Sequence, residues 1–193
     1  MRISLALDQN LTSIVWLINI NKWLRNVLLI VGGSLVLATA SKIAIPLVPV
    51  PVTLQTLAIF FIGMTYGWRL GTATILLYLL EGLAGIPVFA GPVAGLSVLL
   101  GPTGGYLIGF IPAVMISGYL VERGFGRNSV TVALAAILGS VPLYICGLCV
   151  LATFVGTHAA VTLGLKPFLL GDLLKIIFLA CVVPAFWRAK KRD

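Results

Sequence analysis

The stretch Val27-Leu-Leu-Ile-Val-Gly-Gly-Ser-Leu-Val-Leu-Ala-Thr-Ala-Ser-Lys-Ile-Ala-Ile45, followed at once by Pro46-Leu-Val-Pro49-Val-Pro51, decides the class of fold. A bilayer-spanning helix needs about 20 mostly apolar residues. This run supplies them and then meets prolines that cannot continue a helix. Working outward, further apolar runs cover about Val52–Tyr66, Leu70–Leu83, Gly105–Val121, Val130–Val155 and Phe168–Trp187. The expectation is an all-α, polytopic membrane protein with six transmembrane helices, occupying residues 27–193 as one domain.

Composition agrees. The 193 residues are 60% hydrophobic and only 9% charged, with mean hydropathy +1.15. Ordinary soluble domains are about a quarter charged, so a water-soluble fold is excluded. The net charge of +8 would suit nucleic acid only if Lys and Arg clustered on a soluble surface. Here the charges fall between apolar runs, so a lipid bilayer is the partner expected and nucleic acid is not. Six spans place both termini and the second and fourth loops on one side. Lys22, Arg25, Arg69, Arg123, Arg127, Arg188, Lys190, Lys191 and Arg192 gather there, against Lys166 on the other. By the positive-inside rule both termini are cytoplasmic. Residues 1–26 carry Asp8, Asn10, Asn19, Asn21, Lys22 and Arg25 around short apolar stretches, without a cleavable signal pattern. An interfacial or loosely ordered N-terminal extension is expected.

The third loop, Gly85–Gly104, is apolar yet punctuated by Gly and Pro. Irregular backbone cannot lie in hydrocarbon with its polar groups unpaired, so it folds against protein or lines a cavity. A cap over an outward-facing pocket is one reading; an ordinary long loop packed on the outer surface is the other. Ionisable groups within spans are costly and mark candidate sites. Lys42, Glu81, Asp172 and Lys175 all fall near the same outer leaflet. Asp172 and Lys175 share one helix face and can partly neutralise each other. Alternatively Asp172 is a helix-start acid and Lys175 snorkels, as Lys42 can. Gln55, beside Thr53 and Thr56, offers an amide that both donates and accepts, for a ligand or for a neighbouring helix. Tyr78, Phe89 and Tyr106 could form aromatic walls or simply belong to the interfacial belt. Small residues on the first span, notably Ser34 with Ala38, mark a close helix contact within the chain or with a partner.

Other chemistry is thin. The sequence contains no G-x-x-x-x-G-K-[ST], so the chain holds no P-loop with which to hydrolyse ATP. His158, the sole histidine, has no Cys or carboxylate at metal-ligand spacing, so neither metal, cofactor nor catalytic triad is expected. Cys146-Gly-Leu-Cys149 forms C-x-x-C, which leaves an intramembrane thiol redox enzyme as a rival class.

Taken in order, Val50-Pro-Val-Thr53-Leu-Gln55-Thr56, Gly85-Ile-Pro-Val-Phe89-Ala90, Gly101-Pro-Thr-Gly-Gly-Tyr106 and Gly171-Asp172-Leu-Leu-Lys175 resemble the BioY family. These are the biotin-specific substrate-binding (S) subunits of energy-coupling factor (ECF) transporters, and the resemblance covers about residues 27–187. It implies the six-helix S-component fold in a bacterial cytoplasmic (inner) membrane, no enzymatic activity, and biotin bound near the outer surface under the first and third loops. It further implies that Asp172 and Lys175 contact biotin, that Gln55 and the third loop help enclose it, and that separate ATPase subunits act through a transmembrane coupling protein. Ser34 and Ala38 are the best match to the family's coupling-protein contact on helix one, with a serine in place of alanine. Residues 1–26 show no clear family counterpart. An S subunit for another water-soluble vitamin, or a solitary biotin facilitator, would share the class.

Overall fold

The computed structural model describes residues 21–91 and 93–189. The expected N-terminal extension therefore lies outside the described residues except for its last six positions, of which Asn21 caps the first helix and the other five belong to it. The helices, in chain order, are α1 (Lys22–Lys42), α2 (Gln55–Tyr66), α3 (Trp68–Leu83), α4 (Leu96–Leu99), α5 (Gly104–Glu122), α6 (Ser129–Val155), α7 (Thr157–Gly164) and α8 (Lys166–Ala189). All six expected spans appear as helices, with ends displaced by a few residues. α1 begins five residues early because the Asn21 side chain accepts from Trp23 N (3.1 Å) and caps it. It ends at Lys42 because Ala44–Ile45 (β1) pairs antiparallel with Val52–Thr53 (β2).

That small hairpin solves the problem posed by the proline cluster. Backbone at membrane depth must be paired within the protein. Here the Pro-rich segment folds back on itself and buries Val50 and Val52 in the core. α1, α5, α6 and the stretch Thr157–Arg188 are each long and apolar enough to cross a membrane. α2, with 12 residues, and α3, with 16, are shorter. At 1.5 Å per residue α2 reaches only about 18 Å, and the hairpin precedes it at its N-terminal end. α2 and α3 are joined by Gly67 alone, at φ 84°, a left-handed conformation that glycine tolerates.

Close helix contact depends on small residues, as expected in lipid. A Cβ on Gly109 would stand 2.9 Å from Leu143 Cα, and one on Gly139 3.0 Å from Ala113 O, so α5 and α6 approach backbone to backbone. The α2–α3 turn packs on α5 in the same way. A Cβ on Gly118 would lie 2.7 Å from both Gly63 O and Trp68 N.

The two ends of the bundle are tied by different contacts. At one end Trp68 N donates to Glu122 Oε1 (3.2 Å) and Trp187 Nε1 to Met64 O (3.3 Å). Lys22, Arg69, Arg123, Arg127 and Arg188 sit on the helix ends and turns gathered there. The other end collects the hairpin, the third loop, α7 and the starts of α2, α5 and α8.

Candidate functional site

A cavity of about 550 Å3, counted with its open mouth, lies at that second end. The hairpin and α2 contribute Val50, Thr53, Gln55 and Thr56; the third loop contributes Phe89, Ala90, Val98 and Thr103; α5, α6 and α8 contribute Tyr106, Phe110, Tyr144 and Phe168. Most of this wall is apolar; its polar groups come mainly from the hairpin and α2, with Thr103, Tyr106 and Tyr144 around them. The third loop does cap an open pocket, as one of its two readings held.

Asp172 and Lys175 are both buried, at 6% and 9% exposure, and ion-paired at 2.8 Å. The pair is closed by two neighbours. Lys175 Nζ also donates to Thr56 Oγ1 (2.7 Å), Thr56 Oγ1 donates to Asp172 Oδ1 (3.2 Å), and Tyr144 OH donates to Asp172 Oδ2 (2.5 Å). Two charges taken out of water need such partners, since leaving one unopposed costs about 3–5 kcal/mol. Asp172 is therefore not a solvated helix-start acid and Lys175 does not snorkel. Neither lines the cavity. They reach it through Thr56 and Tyr144, which do.

A second network sits beside the first. Gln55 is buried, its Nε2 donating to Tyr78 OH (2.7 Å) and its Oε1 accepting from Thr53 Oγ1 (3.0 Å). Tyr78, fully buried, donates its hydroxyl hydrogen bond to Val88 O of the third loop (3.0 Å) and meets the Phe89 ring edge-on at 5.5 Å. Phe89 seats directly on Gly82, where a Cβ would collide with the ring. From α1, Ser41 Oγ donates to Val88 O (2.6 Å) and Lys42 Nζ to Phe89 O (2.7 Å) and Gly91 O (3.4 Å). The loop is thus held at Val88, Phe89 and Gly91, with Gly85, Gly91 and Gly95 at positive φ making its turns.

On the far wall Tyr106 OH donates to Gly164 O (2.8 Å), and its ring stacks on Phe168 at 5.9 Å, while Tyr144 meets Phe168 edge-on at 6.5 Å. Of the nine residues singled out in the sequence, Thr53, Gln55, Phe89 and Tyr106 line the cavity directly. Asp172, Lys175 and Tyr78 stand one hydrogen bond behind it. Lys42 is exposed and serves the loop, and Glu81 accepts from Ser34 Oγ between α1 and α3, away from the cavity.

That last contact corrects one expectation. Ser34 is fully buried, and Gly33 beside it packs on Thr74, so the Gly33–Ser34 face of α1 meets α3 of the same chain and Ser34 is not available to a partner. The outward face of α1 carries Leu28, Val31 and Leu35 instead, with Ala38 partly buried against the core. Tyr144 and Phe168 escaped the sequence reading altogether, because an aromatic inside an apolar helix gives no signal of which way it faces. The C-x-x-C cysteines are free, Cys146 partly buried and Cys149 exposed, and neither lines the cavity. Among the described residues no group of His, Cys, Asp or Glu could hold a metal ion.

Comparison with known proteins agrees with this arrangement. The chain is 39% identical over 138 residues to the "Probable biotin transporter BioY" of Pyrococcus horikoshii, covering 72% of this chain and 81% of that protein. It is 39% identical over 142 residues to the "Biotin transporter BioY" of Thermotoga maritima, covering 72% and 82%, and 30% identical over 172 residues to the "Probable biotin transporter BioY" of Rickettsia prowazekii, covering 89% and 88%. These relatives are named as transporters, not enzymes. The fold matches the crystal structure of an S-component for biotin from an ECF-type ABC transporter, with TM-score 0.77 at 22% identity, covering 89% of this chain and 95% of that one. The match to the BioY family reaches back to residue 9, so residues 9–26 of the expected extension do have a family counterpart. Matched from residue 9 to residue 192, the chain belongs to the BioY family.

Proposed function

We propose that this chain is the biotin-capturing S-component of an energy-coupling factor transporter in a bacterial cytoplasmic membrane, with six spans and both termini inside. The observation that carries it is the cavity itself, apolar over most of its wall and lined on one side by Thr56, Gln55 and Tyr144 in front of the Asp172–Lys175 pair. Biotin presents a ureido ring that both donates and accepts hydrogen bonds, an apolar sulfur ring and a carboxylate tail. The polar wall suits the ureido ring, and Phe89, Tyr106, Phe110 and Phe168 suit the sulfur ring and the aliphatic tail. The gathering of Lys22, Arg69, Arg123, Arg127 and Arg188 at the opposite end supports the orientation, with the cavity facing outward. Release to the inside takes its energy from separate ATPase subunits through a transmembrane coupling protein, because the chain has no P-loop of its own.

Uptake of labelled biotin into cells lacking their own biotin uptake tests this directly. Cells expressing this chain together with the coupling protein and ATPases should accumulate biotin, and the Asp172→Ala variant should not. Equal accumulation from the chain alone would make it a solitary facilitator. Absence of uptake in both settings, with the protein present in the membrane, would remove the assignment.

A further inference from the structure

The helices around the cavity differ too much in length to end at one level of a bilayer. Measured from the basic end at 1.5 Å per residue, α2 and α3 reach about 18 Å and 24 Å, whereas α6 and α8 reach about 40 Å and 36 Å. A hydrocarbon core is about 30 Å thick. The outer ends of α2 and α3 therefore stop inside it, and those of α6 and α8 pass beyond it. α1 reaches about 31 Å, so Lys42 at its end marks the outer boundary. On the short side the missing depth is filled by the hairpin, which leads from α1 down to α2, and by the third loop, which leaves α3.

These two segments have the composition of a lipid contact. No Asp, Glu, Lys or Arg occurs in residues 43–54 or 84–103. Ile45, Val48, Ile86, Val93, Leu96 and Leu100 are exposed, from Ile86 at 49% to Val48 at 88%. They extend the exposed apolar faces of α1 and α3, which carry Val31 and Leu35, and Leu76 and Leu80. The third loop turns its other side inward, where Phe89 and Val98 line the cavity. Backbone at this depth must be paired within the protein. β1 pairs with β2, Leu54 N donates to Ile43 O (3.1 Å), Ile86 N to Glu81 O (3.1 Å) and Gly95 N to Gly82 O (2.9 Å). Across the mouth the composition changes: His158 in α7 and Lys166 at the start of α8 are both exposed.

We infer that the hairpin and third-loop side of the cavity rim is seated in the outer leaflet, against lipid acyl chains, and that the mouth opens to water along the α7 and α8 side. So large an apolar patch turned to water would be an association surface. Turned to lipid, it continues the surface that the helices already present to the bilayer. The inference concerns the rim and is independent of which ligand the cavity takes.

Depth is measured with single nitroxide labels on the full-length chain in liposomes of phosphatidylcholine and phosphatidylglycerol. Cys146, Cys149 and Cys181 are replaced by Ala, and one label site is then introduced as Val48→Cys, Ile86→Cys or Leu96→Cys. Leu35→Cys, on the exposed face of α1, is the lipid reference, and Lys166→Cys is the aqueous one. Spin relaxation is compared in the presence of oxygen, which concentrates among acyl chains, and of a water-soluble nickel chelate. At the rim sites oxygen should outweigh the chelate as it does at Leu35→Cys, with the reverse at Lys166→Cys. Chelate outweighing oxygen at the rim sites would place them in water and overturn the inference. Exclusion of both reagents would place protein over the rim, a second copy of this chain included, and would overturn it equally. If the cysteine-free chain fails to fold, Leu96→Trp in the otherwise wild-type chain replaces the labels. Bromine on the acyl chains should then quench most of the added fluorescence, and unquenched fluorescence would overturn the inference.

Discussion

The two ends of the bundle differ in what carries most of their contacts. At the basic end, α2, α3 and α5 meet through Gly63, Gly71 and Gly118, with backbone pressed against backbone and little left to rearrange. At the cavity end Gly105 also brings α5 against Cys146 O of α6, but the loops and helix starts are joined by side chains reaching between irregular segments: Lys42 and Ser41 to the third loop, Gln55 to Tyr78, and Asp172 and Lys175 to Thr56 and Tyr144. Dense packing gives an end that sets the fold, whereas a hydrogen-bonded shell around a cavity gives an end that can admit a ligand. The contrast teaches where substitutions should cost stability and where they should cost binding.

The largest effect is expected at the packed end. Gly118→Val places atoms against Gly63 O and Trp68 N, both backbone and unable to swing aside. Overpacking costs about 1–3 kcal/mol and sometimes more, so the variant should lose most of its folded, monodisperse yield in detergent. A normal yield and unfolding midpoint would erase the distinction between the ends. Asp172→Ala comes next. It strands Lys175 in a buried site and should weaken biotin well over tenfold, at about 1.4 kcal/mol per factor of ten. Calorimetry checks the affinity, and wild-type binding would show that the network is scaffolding only.

Smaller effects sharpen the comparison within the cavity end. Gly82→Ala displaces the Phe89 ring from its seat and should lower affinity about tenfold, chiefly through faster dissociation, with an unfolding midpoint close to wild type. Lys42→Met removes the exposed ammonium that ties Phe89 O and Gly91 O. Exposed polar contacts contribute less than about 1 kcal/mol, so dissociation should speed by about threefold or less in stopped-flow measurements. If Lys42→Met outweighed Gly82→Ala, the loop would be held by its edge rather than by the buried ring.

The sequence disclosed the helices far better than the surfaces they present. Runs such as Val130–Val155 were legible because membrane spans are long and apolar, and the helix α6 begins within one residue of that run. The hairpin was not legible: β1 and β2 are two residues each, and Val52–Thr53 reads equally well as the start of the following helix. α7 gives no signal in the sequence, since its eight residues are too few to stand out by apolar length. In the site, Asp172, Lys175 and Gln55 were visible because polar groups are rare in this chain. Tyr144 and Phe168 were not, as facing is a property of helix packing and many aromatics surround them. Ser34 shows the same limit from the other side: a small residue marks a close contact without naming the neighbour, which is α3 and not a partner.

The central claim, that the cavity at the side-chain-built end captures biotin, is tested most directly by calorimetry. Purified full-length protein would be titrated with biotin and with a panel of other water-soluble vitamins. A saturable heat with biotin, absent with the others and strongly reduced in Asp172→Ala, is the predicted result. No heat with biotin alongside a clear signal from another vitamin would contradict it.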